Sequence, residues 1–583
     1  MTPSKNLRSI AVVLSSSIAA ACSLFLPSWG MAQTASEPVI HLNQAWSQDD
    51  REWYYHFSQG SAAISYDIFV NLEVADGQEL FRSAANSERY GLIPEAANGM
   101  NPDGLPIGIS KTTVSIPIKG WPAGDYAGLT CAACHEGEWE YKGKHVRIDG
   151  GTGNRIDIMA YTYALDDAMQ ATLSDSAKFD RLAAKLGVTS ADAKAKLRKR
   201  FGEDADRVHY YRTRNLVSAT TWGPGRLDAI ALIVNRLTAD LPNIPENWST
   251  PNAPTKPPFL WNAPQGLWTQ WRGALQDPIS RNLTETMGVY MPIDLTARSP
   301  AEGLFQSNAA ILDLQRVENQ LSRLAPPSWP EDLFGKIDRE KAKAGEALFV
   351  SLCSGCHNSW PYTWTEPNKF GKRFILVGLV PQSYVGTDPQ QFRILRPYAI
   401  TGQLSNFLPD ELHGKELIPT GFLYDGTSRI VLETALSKLK LSPEQEANIH
   451  GYRVYPLPRP PEEVYKAAPR DGVWATPPFL HNGSVPSLYE LLLPAAERTK
   501  KFYVTHLFDP IKVGLDTTAT SGFLMDTTLL GNSNEGHSFQ DGPRGNGVIG
   551  PLLTDDQRWA LVEYLKSIPD QPGRVTPFGG PPQ

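Results

Sequence analysis

Two copies of a Cys-x-x-Cys-His motif constrain this chain more than any other feature of its sequence. The first occupies residues 131–135 and the second occupies residues 353–357. On a turn of helix, residues i, i+3 and i+4 lie on one face, so two thiols can bond to one edge of a porphyrin while the histidine reaches the iron. The pattern is typical of covalently attached haem c. It predicts two haems, bound by Cys131, Cys134, Cys353 and Cys356 and ligated by the proximal histidines His135 and His357.

Two other uses of these cysteines have to be weighed against haem attachment. Two disulfides, or a zinc ion bound by four thiolates, would need the same side chains. Neither explains why a histidine follows the second cysteine of each motif. The fifth cysteine, Cys22, lies in an N-terminal segment that we expect to be removed, so the mature chain has no cysteine to spare for a structural disulfide.

The N-terminus has the features of a secretory signal peptide. Lys5 and Arg8 precede an apolar run over residues 10–26, and small residues follow it. We expect a signal peptide at residues 1–32 and a periplasmic or secreted mature protein, with lipid attachment through Cys22 as the alternative. No later stretch reaches ~18 uninterrupted apolar residues, so we expect no stable membrane span.

The charge of the chain bears on its partners. The formal net charge is −7, and removing residues 1–32 takes away two positive charges and no negative ones, which gives −7 − 2 = −9. An acidic chain without a basic stripe is a poor candidate for binding nucleic acid, and we expect no such partner.

Length and helix-breaking residues predict how the chain divides. A single core stops growing near ~250–300 residues, and the proline-rich residues 324–330 separate the two motifs. We expect an irregular N-terminal extension at 33–120, a first haem c domain at 121–325 and a second at 326–583. Helical patterns outnumber alternating ones. We therefore predict a mainly α fold, with two cytochrome c-like haem domains, long ordered loops and few short strands.

Several segments resemble known haem proteins. Gly345, Leu348 and Phe349, which precede Cys353, resemble the opening helix of ordinary cytochrome c domains. In small cytochromes the first and last helices cross over the haem. Residues 554–568 carry a capping box followed by an apolar face, so the resemblance implies such a crossing in the C-terminal half.

Longer segments resemble the di-haem cytochrome c peroxidase superfamily. Residues 470–488 are similar to the superfamily's segment between the second haem and its distal ligand. Four further segments look like its rubber-oxygenase-like branch: Arg147-Ile-Asp-Gly-Gly, Trp222-Gly-Pro-Gly-Arg-Leu-Asp, Pro258-Phe-Leu-Trp and Gly531-Asn-Ser-Asn-Glu-Gly-His. That branch includes haem dioxygenases that cleave polyisoprene or oxygenate unsaturated fatty acids.

The resemblance also implies a distal ligand for the second haem. The peroxidases place a methionine a short distance after the His481 position, where this chain has Ala495 and no methionine. The branch uses a later histidine, and His537 fits that place, with Met525 as the alternative. For His481 the resemblance implies a buried, hydrogen-bonded histidine near the haem edge.

The first haem differs in its expected ligands. His145, the next histidine after His135, stands in a segment that is not a ligand region in the branch, so we interpret it as solvated or structural and expect an open iron. The resemblance places Trp271 between the two haems, where an aromatic ring can relay an electron; Trp268 and Trp261 are the alternatives. Two further residues, Arg226 and Asp228, could anchor haem propionates or form an internal ion pair.

Three functions remain open at this point. The first is an O2-dependent oxygenase that acts on an apolar alkene, small or polymeric, at the first haem, while the second haem poises its oxidation state. The second is a peroxidase that reduces H2O2 with electrons from a small redox donor protein. The third is a plain electron-transfer cytochrome. A peroxidase needs an acid–base group above the iron, and the sequence offers no unambiguous one.

Two other features of the sequence bear on the sites. The apolar residues Leu283, Met287, Val289 and Tyr290 follow Trp271. They suggest a helix that lines an apolar pocket with Leu283, Met287 and Tyr290, although these three residues fit an ordinary core equally well. Thr476 and Pro478 match the superfamily's calcium-site segment, so a calcium ion is possible.

Overall fold

The computed structural model describes residues 38–454, 459–569 and 571–577. The predicted signal peptide lies outside these residues. Within them, no helix is both long enough and apolar enough to cross a membrane.

Helices of very different length alternate with irregular segments. The helices are α1 (Gln48–His56), α2 (Tyr66–Asn71), α3 (Ala84–Arg89), α4 (Ala132–His135), α5 (Ile158–Ser174), α6 (Ser176–Lys185), α7 (Ala191–Asn215), α8 (Ala229–Asn235), α9 (Pro278–Gly288), α10 (Ile311–Leu321), α11 (Glu331–Phe334), α12 (Arg339–Leu352), α13 (Gln382–Val385), α14 (Gln390–Arg393), α15 (Thr420–Ser437), α16 (Pro443–Ile449), α17 (Leu488–Leu491) and α18 (Asp555–Ser567).

The strands are short, and they form several small sheets. They are β1 (Ile40–His41), β2 (Ile64–Ser65), β3 (Ile109–Val114), β4 (Gly124–Leu129), β5 (Glu136–Tyr141), β6 (Lys144–Asp149), β7 (Gly378–Pro381), β8 (Tyr398–Ile400), β9 (Leu417–Pro419), β10 (Val464–Ala467), β11 (Lys501–Val504), β12 (Phe508–Asp509), β13 (Gly514–Leu515), β14 (Phe523–Asp526), β15 (Ser538–Phe539) and β16 (Val548–Gly550). The larger sheets have the orders β1-β6-β5 and β2-β4-β3.

The prediction of a mainly α fold is wrong. Of the residues that the structure describes, 37% are helical and 14% are in strands, which form several small sheets. The reason is physical: strands of two to six residues are too short to show an alternating pattern. Some also pair with distant segments, as β10 does with β7, so local propensity carries little information about them.

A hairpin fixes the chain directly after the first motif. Strands β5 and β6 are joined at Lys142 and Gly143, whose φ angles of 52° and 75° are those of a tight hairpin turn. Trp139 in β5 donates from its indole nitrogen to the carbonyl oxygen of Ala475, 3.0 Å away. The first motif is therefore tied to the C-terminal half of the chain.

One hydrophobic cluster contains residues from both halves of the chain, from Trp46 to Leu565. Its centre includes Trp139, Trp329 and Phe334, which come from both sides of residues 325/326. The domain boundary proposed at those residues stays a prediction.

Helices α12 and α18 pack tightly against each other, which fits the crossing that the resemblance to small cytochromes implies. They make the most extensive contact between any two elements of the described chain. Gly345 permits the close approach, because a β-carbon there would lie 2.0 Å from the carbonyl oxygen of Ala560. Since α12 runs into Cys353, this crossing positions the second motif.

We predict that Gly345→Ala lowers the free energy of unfolding by about 1–3 kcal/mol, because the added methyl group forces the two helices apart. Chemical denaturation followed by circular dichroism measures the change. Gly202→Ala is the control: Gly202 lies inside α7 with nothing within 4 Å of its would-be β-carbon. There the substitution should stabilise by up to about 1 kcal/mol. Equal effects at the two glycines would contradict the tight crossing.

Candidate functional site

The first motif forms a helical turn that presents its histidine to a cavity. The amide of His135 donates to the carbonyl oxygen of Cys131, 2.9 Å away. The ring nitrogen Nδ1 of His135 lies 2.8 Å from the carbonyl oxygen of Pro258, so Nδ1 carries the proton and donates it. Burial lowers the pKa of His135 to about 4. The imidazole is therefore neutral with Nε2 unprotonated, which is the form that binds a metal ion.

The second motif repeats this arrangement. The amide of His357 donates to the carbonyl oxygen of Cys353 at 2.9 Å. Nδ1 of His357 lies 3.0 Å from the carbonyl oxygen of Ala468 and donates to it. Burial also holds the pKa of His357 well below its ordinary value. Both histidines are thus oriented by a backbone carbonyl far along the chain.

Each motif lines its own cavity. The first has a volume of about 150 Å³ and the second about 370 Å³. Both cysteines and the histidine of each motif line its cavity, as covalent attachment of a haem there requires.

A second histidine faces His357 across the second cavity. The ring centres of His357 and His537 are 6.4 Å apart. Two imidazoles that bind one metal ion from opposite sides, each through a bond of about 2.0 Å, have ring centres about 6 Å apart. Within the part of the chain that the structure describes, Nδ1 of His537 has no hydrogen-bond partner in another residue. The spacing of the two rings fits the predicted role of His537 as distal ligand.

The backbone around His537 is firmly held. Its amide donates to the carbonyl oxygen of Val385 at 2.8 Å, and its own carbonyl accepts from Arg498 at 2.7 Å. Burial lowers the pKa of His537 to about 3, so the ring is neutral. Met525, the alternative ligand, is fully buried on β14 opposite Phe502 and does not line the cavity.

His481 lies at the edge of the second cavity, as expected for a buried, hydrogen-bonded residue. Its ring stacks on Tyr465 with centres 4.3 Å apart. The Tyr465 hydroxyl lies 3.1 Å from Nε2 of His481. His481 is therefore held by a hydrogen bond and a ring contact with the same tyrosine.

The first cavity has no such second histidine among the described residues that line it. His145 lies on the β5–β6 hairpin with Nδ1 3.2 Å from the carboxylate of Glu138, and it does not line the cavity. The structural interpretation of His145 is consistent with this position. The iron of the first haem would have an open side.

One face of α9 lines the first cavity, but not the face that the sequence suggested. Leu283, Met287 and Tyr290 are buried away from the cavity in the hydrophobic core, and only Val289 of the four borders it. The residues of α9 that do line it include Arg281, Asn282 and Glu285. Of the two alternatives open from the sequence, the ordinary core is the one that Leu283, Met287 and Tyr290 form.

A carboxyl group that the sequence analysis missed points into the first cavity. Glu285 hydrogen-bonds with the side chain of Gln270, and burial raises the pKa of its carboxyl group. Arg281 and Glu318 beside it form an ion pair. The spacing of residues 281, 282 and 285 on one helical face was the available signal. This spacing did not indicate a cavity from the sequence alone, because polar residues on a helix ordinarily face solvent.

Four residues form a wall shared by both cavities, because each of them lines both: Lys256, Phe259, Trp271 and Lys466. The predicted relay residue Trp271 is one of them. Trp268 packs instead in a separate cluster with Phe374, and Trp261 lines neither cavity.

Unpaired cations test whether the cavities suit haem. Lys256, Lys466, Arg272 and Arg470 line one or both cavities, and in the described chain none of them forms an ion pair with a carboxylate. Burying a charge without a partner is costly. A haem carries two propionate groups, so two haems would supply four negative charges. The donor set therefore fits the predicted cofactor.

Three other residues singled out in the sequence make hydrogen bonds that involve backbone groups: Arg226, Asp228 and Thr476. Arg226 donates to the carbonyl oxygen of Trp222 and to Asn532. Asp228 accepts from two backbone amides, those of Ala231 at 3.0 Å and Ala253 at 2.8 Å. Arg226 and Asp228 therefore do not pair with each other and line neither cavity. The carbonyl of Thr476, an implied calcium ligand, accepts from the ammonium group of Lys256.

Comparison with known proteins places the chain in a family. Residues 464–503, which include Lys466, Arg470 and His481, match a family described as RoxA-like, cytochrome c-like. The uncharacterized protein y4iJ of Sinorhizobium fredii is 34% identical over 580 residues, covering 91% of this chain and 94% of y4iJ. The uncharacterized protein y4iM of the same organism is 26% identical over 339 residues, covering 56% of this chain and 66% of y4iM. The chain therefore belongs to the same family as y4iJ, and it contains a RoxA-like, cytochrome c-like segment at residues 464–503.

Proposed function

We propose that this protein is an exported oxidoreductase with two covalently attached haems c, one in each cavity. One observation carries the proposal: the second cavity offers two facing histidines and the first offers only one. An iron with two protein ligands moves electrons, whereas an open iron binds a small molecule. The first haem is therefore the reaction site and the second sets its oxidation state, with Trp271 in the wall between them.

The favoured reaction is O2-dependent oxygenation of an apolar alkene, such as an isoprenoid or an unsaturated fatty acid. The RoxA-like match supports it, and so does the lining of the first cavity. Away from α9 that lining is largely apolar, with Ile230, Ile233, Phe259, Leu260, Val317 and Leu321. Bound haem would supply O2 activation, while these side chains would hold a hydrocarbon and exclude water.

Reduction of H2O2 is the second candidate, and the Glu285–Gln270 pair favours it. A peroxidase moves a proton between the two oxygens of its substrate, which requires a positioned acid–base group. Burial raises the pKa of the Glu285 carboxyl group, and Gln270 positions that group by a hydrogen bond. The electrons would come from a small redox donor protein.

The ligand assignment predicts the spectrum of a His537→Ala variant. Removing the distal imidazole should convert one of the two haems from low spin to high spin and leave the other unchanged, because His537 lines only the second cavity. Electron paramagnetic resonance of the oxidised protein measures this. Met525→Leu is the control and should leave both signals as they are. A low-spin signal that survives in His537→Ala would refute the assignment.

The choice between the two reactions predicts different substrates. The as-isolated enzyme, mixed with O2 and an unsaturated lipid or isoprenoid, should consume O2 and release cleaved or hydroperoxidised product. Glu285→Gln keeps the shape of the side chain but cannot shuttle the proton, so it should leave this reaction nearly unchanged.

Peroxide turnover with a reduced small cytochrome is the opposing measurement. If Glu285 acts as the acid–base group, Glu285→Gln should slow that turnover by about 10²-fold or more. Fast peroxide turnover, with no O2 uptake across a panel of alkenes, would replace the oxygenase proposal with the peroxidase.

A further inference from the structure

Two lysines lie in the wall between the cavities, on a continuous chain of hydrogen bonds. The amide of Lys466 donates to the carbonyl oxygen of Trp271 at 2.7 Å. The indole of Trp271 donates to the carbonyl oxygen of Lys256 at 2.7 Å. The amide of Lys256 donates in turn to the carbonyl oxygen of His481 at 2.9 Å. These bonds fix where both lysine side chains begin.

No carboxylate of the described chain forms an ion pair with either of these ammonium groups. Lys256 donates only to the carbonyl oxygen of Thr476, and Lys466 makes neither an ion pair nor a side-chain hydrogen bond within the described residues. The charged groups that act on Lys466 are the like charges Arg281 and Arg470, each with a larger effect than the opposite charge of Glu285. Burial is the main reason that the pKa of each lysine falls to about 7. The wall thus concentrates positive charge where an anion would stabilise it.

Both lysines line both cavities, and this separates them from the other unpaired cations. Arg272 lines only the first cavity, and Arg470 lines only the second. An anionic group in either cavity can therefore reach the wall lysines, whereas each arginine serves one cavity. The structure therefore contains two cations that each line one cavity, Arg272 and Arg470, and two lysines that line both.

We propose that Lys466 and Lys256 form a shared cationic site that takes a propionate group from each haem. The inference rests on the proposed binding of two haems. A fixed positive charge favours the reduced form of an iron beside it, because reduction adds one electron and the attraction grows. The shared site therefore raises the reduction potentials of both haems together.

Spectroelectrochemical titration of the full-length di-haem protein tests the shared site. Lys466→Met removes the charge with little change in shape and should shift both midpoint potentials to more negative values. Arg272→Met should shift only the first haem and Arg470→Met only the second. Lys343→Met, at an exposed position on α12, should shift neither.

The outcomes separate this inference from the proposed function. Mass spectrometry of each variant first counts the attached haems, and a wild-type chain without two haems would defeat the proposed function itself. With two haems present, a Lys466→Met variant that shifts neither potential, or only one, overturns the shared site. Lys466→Arg keeps the charge and should retain both potentials, which decides the question if Lys466→Met does not fold. A negative shift of both potentials in Lys466→Arg would also overturn the proposal.

Discussion

The hydrogen bond from each motif histidine to a distant backbone carbonyl organises the rest of this structure. His135 reaches Pro258, 123 residues along the chain, and His357 reaches Ala468, 111 residues along. Each bond fixes one tautomer and one ring orientation, so that Nε2 faces the cavity. Each bond also holds a distant segment beside its motif. The segment that contains Pro258 contributes Phe259 to the shared wall, and the segment that contains Ala468 contributes Lys466.

The two cavities differ in what faces the motif histidine. This difference supports the proposal that the first haem is the reaction site and the second sets its oxidation state. In the second cavity the neutral imidazole of His537 lies with its ring centre 6.4 Å from that of His357. Backbone hydrogen bonds hold it in place. In the first, the residues that line the cavity include the polar face of α9 and a largely apolar remainder. Because Lys256 and Lys466 line both cavities, the charge of these wall lysines acts on both.

The sequence predicted the local turn at each motif better than the fold. The Cys-x-x-Cys-His spacing is local, so the turn at each motif follows from helix geometry. The position of His537 in the second cavity agrees with the prediction from resemblance. The strands were underestimated because pairs such as β10 with β7 join segments far apart in sequence. The sequence also could not show that Glu285 lines a cavity, because the other walls of that cavity come from segments that are distant in sequence.

The count of covalently bound haems tests the central claim most directly. The mature chain should be produced with a cytochrome c maturation system, denatured, and measured by mass spectrometry together with iron content. The account predicts two haems and two irons per chain, and loss of one of each in Cys131→Ala or in Cys353→Ala. A single haem in the unaltered chain, or none with zinc bound instead, would contradict it.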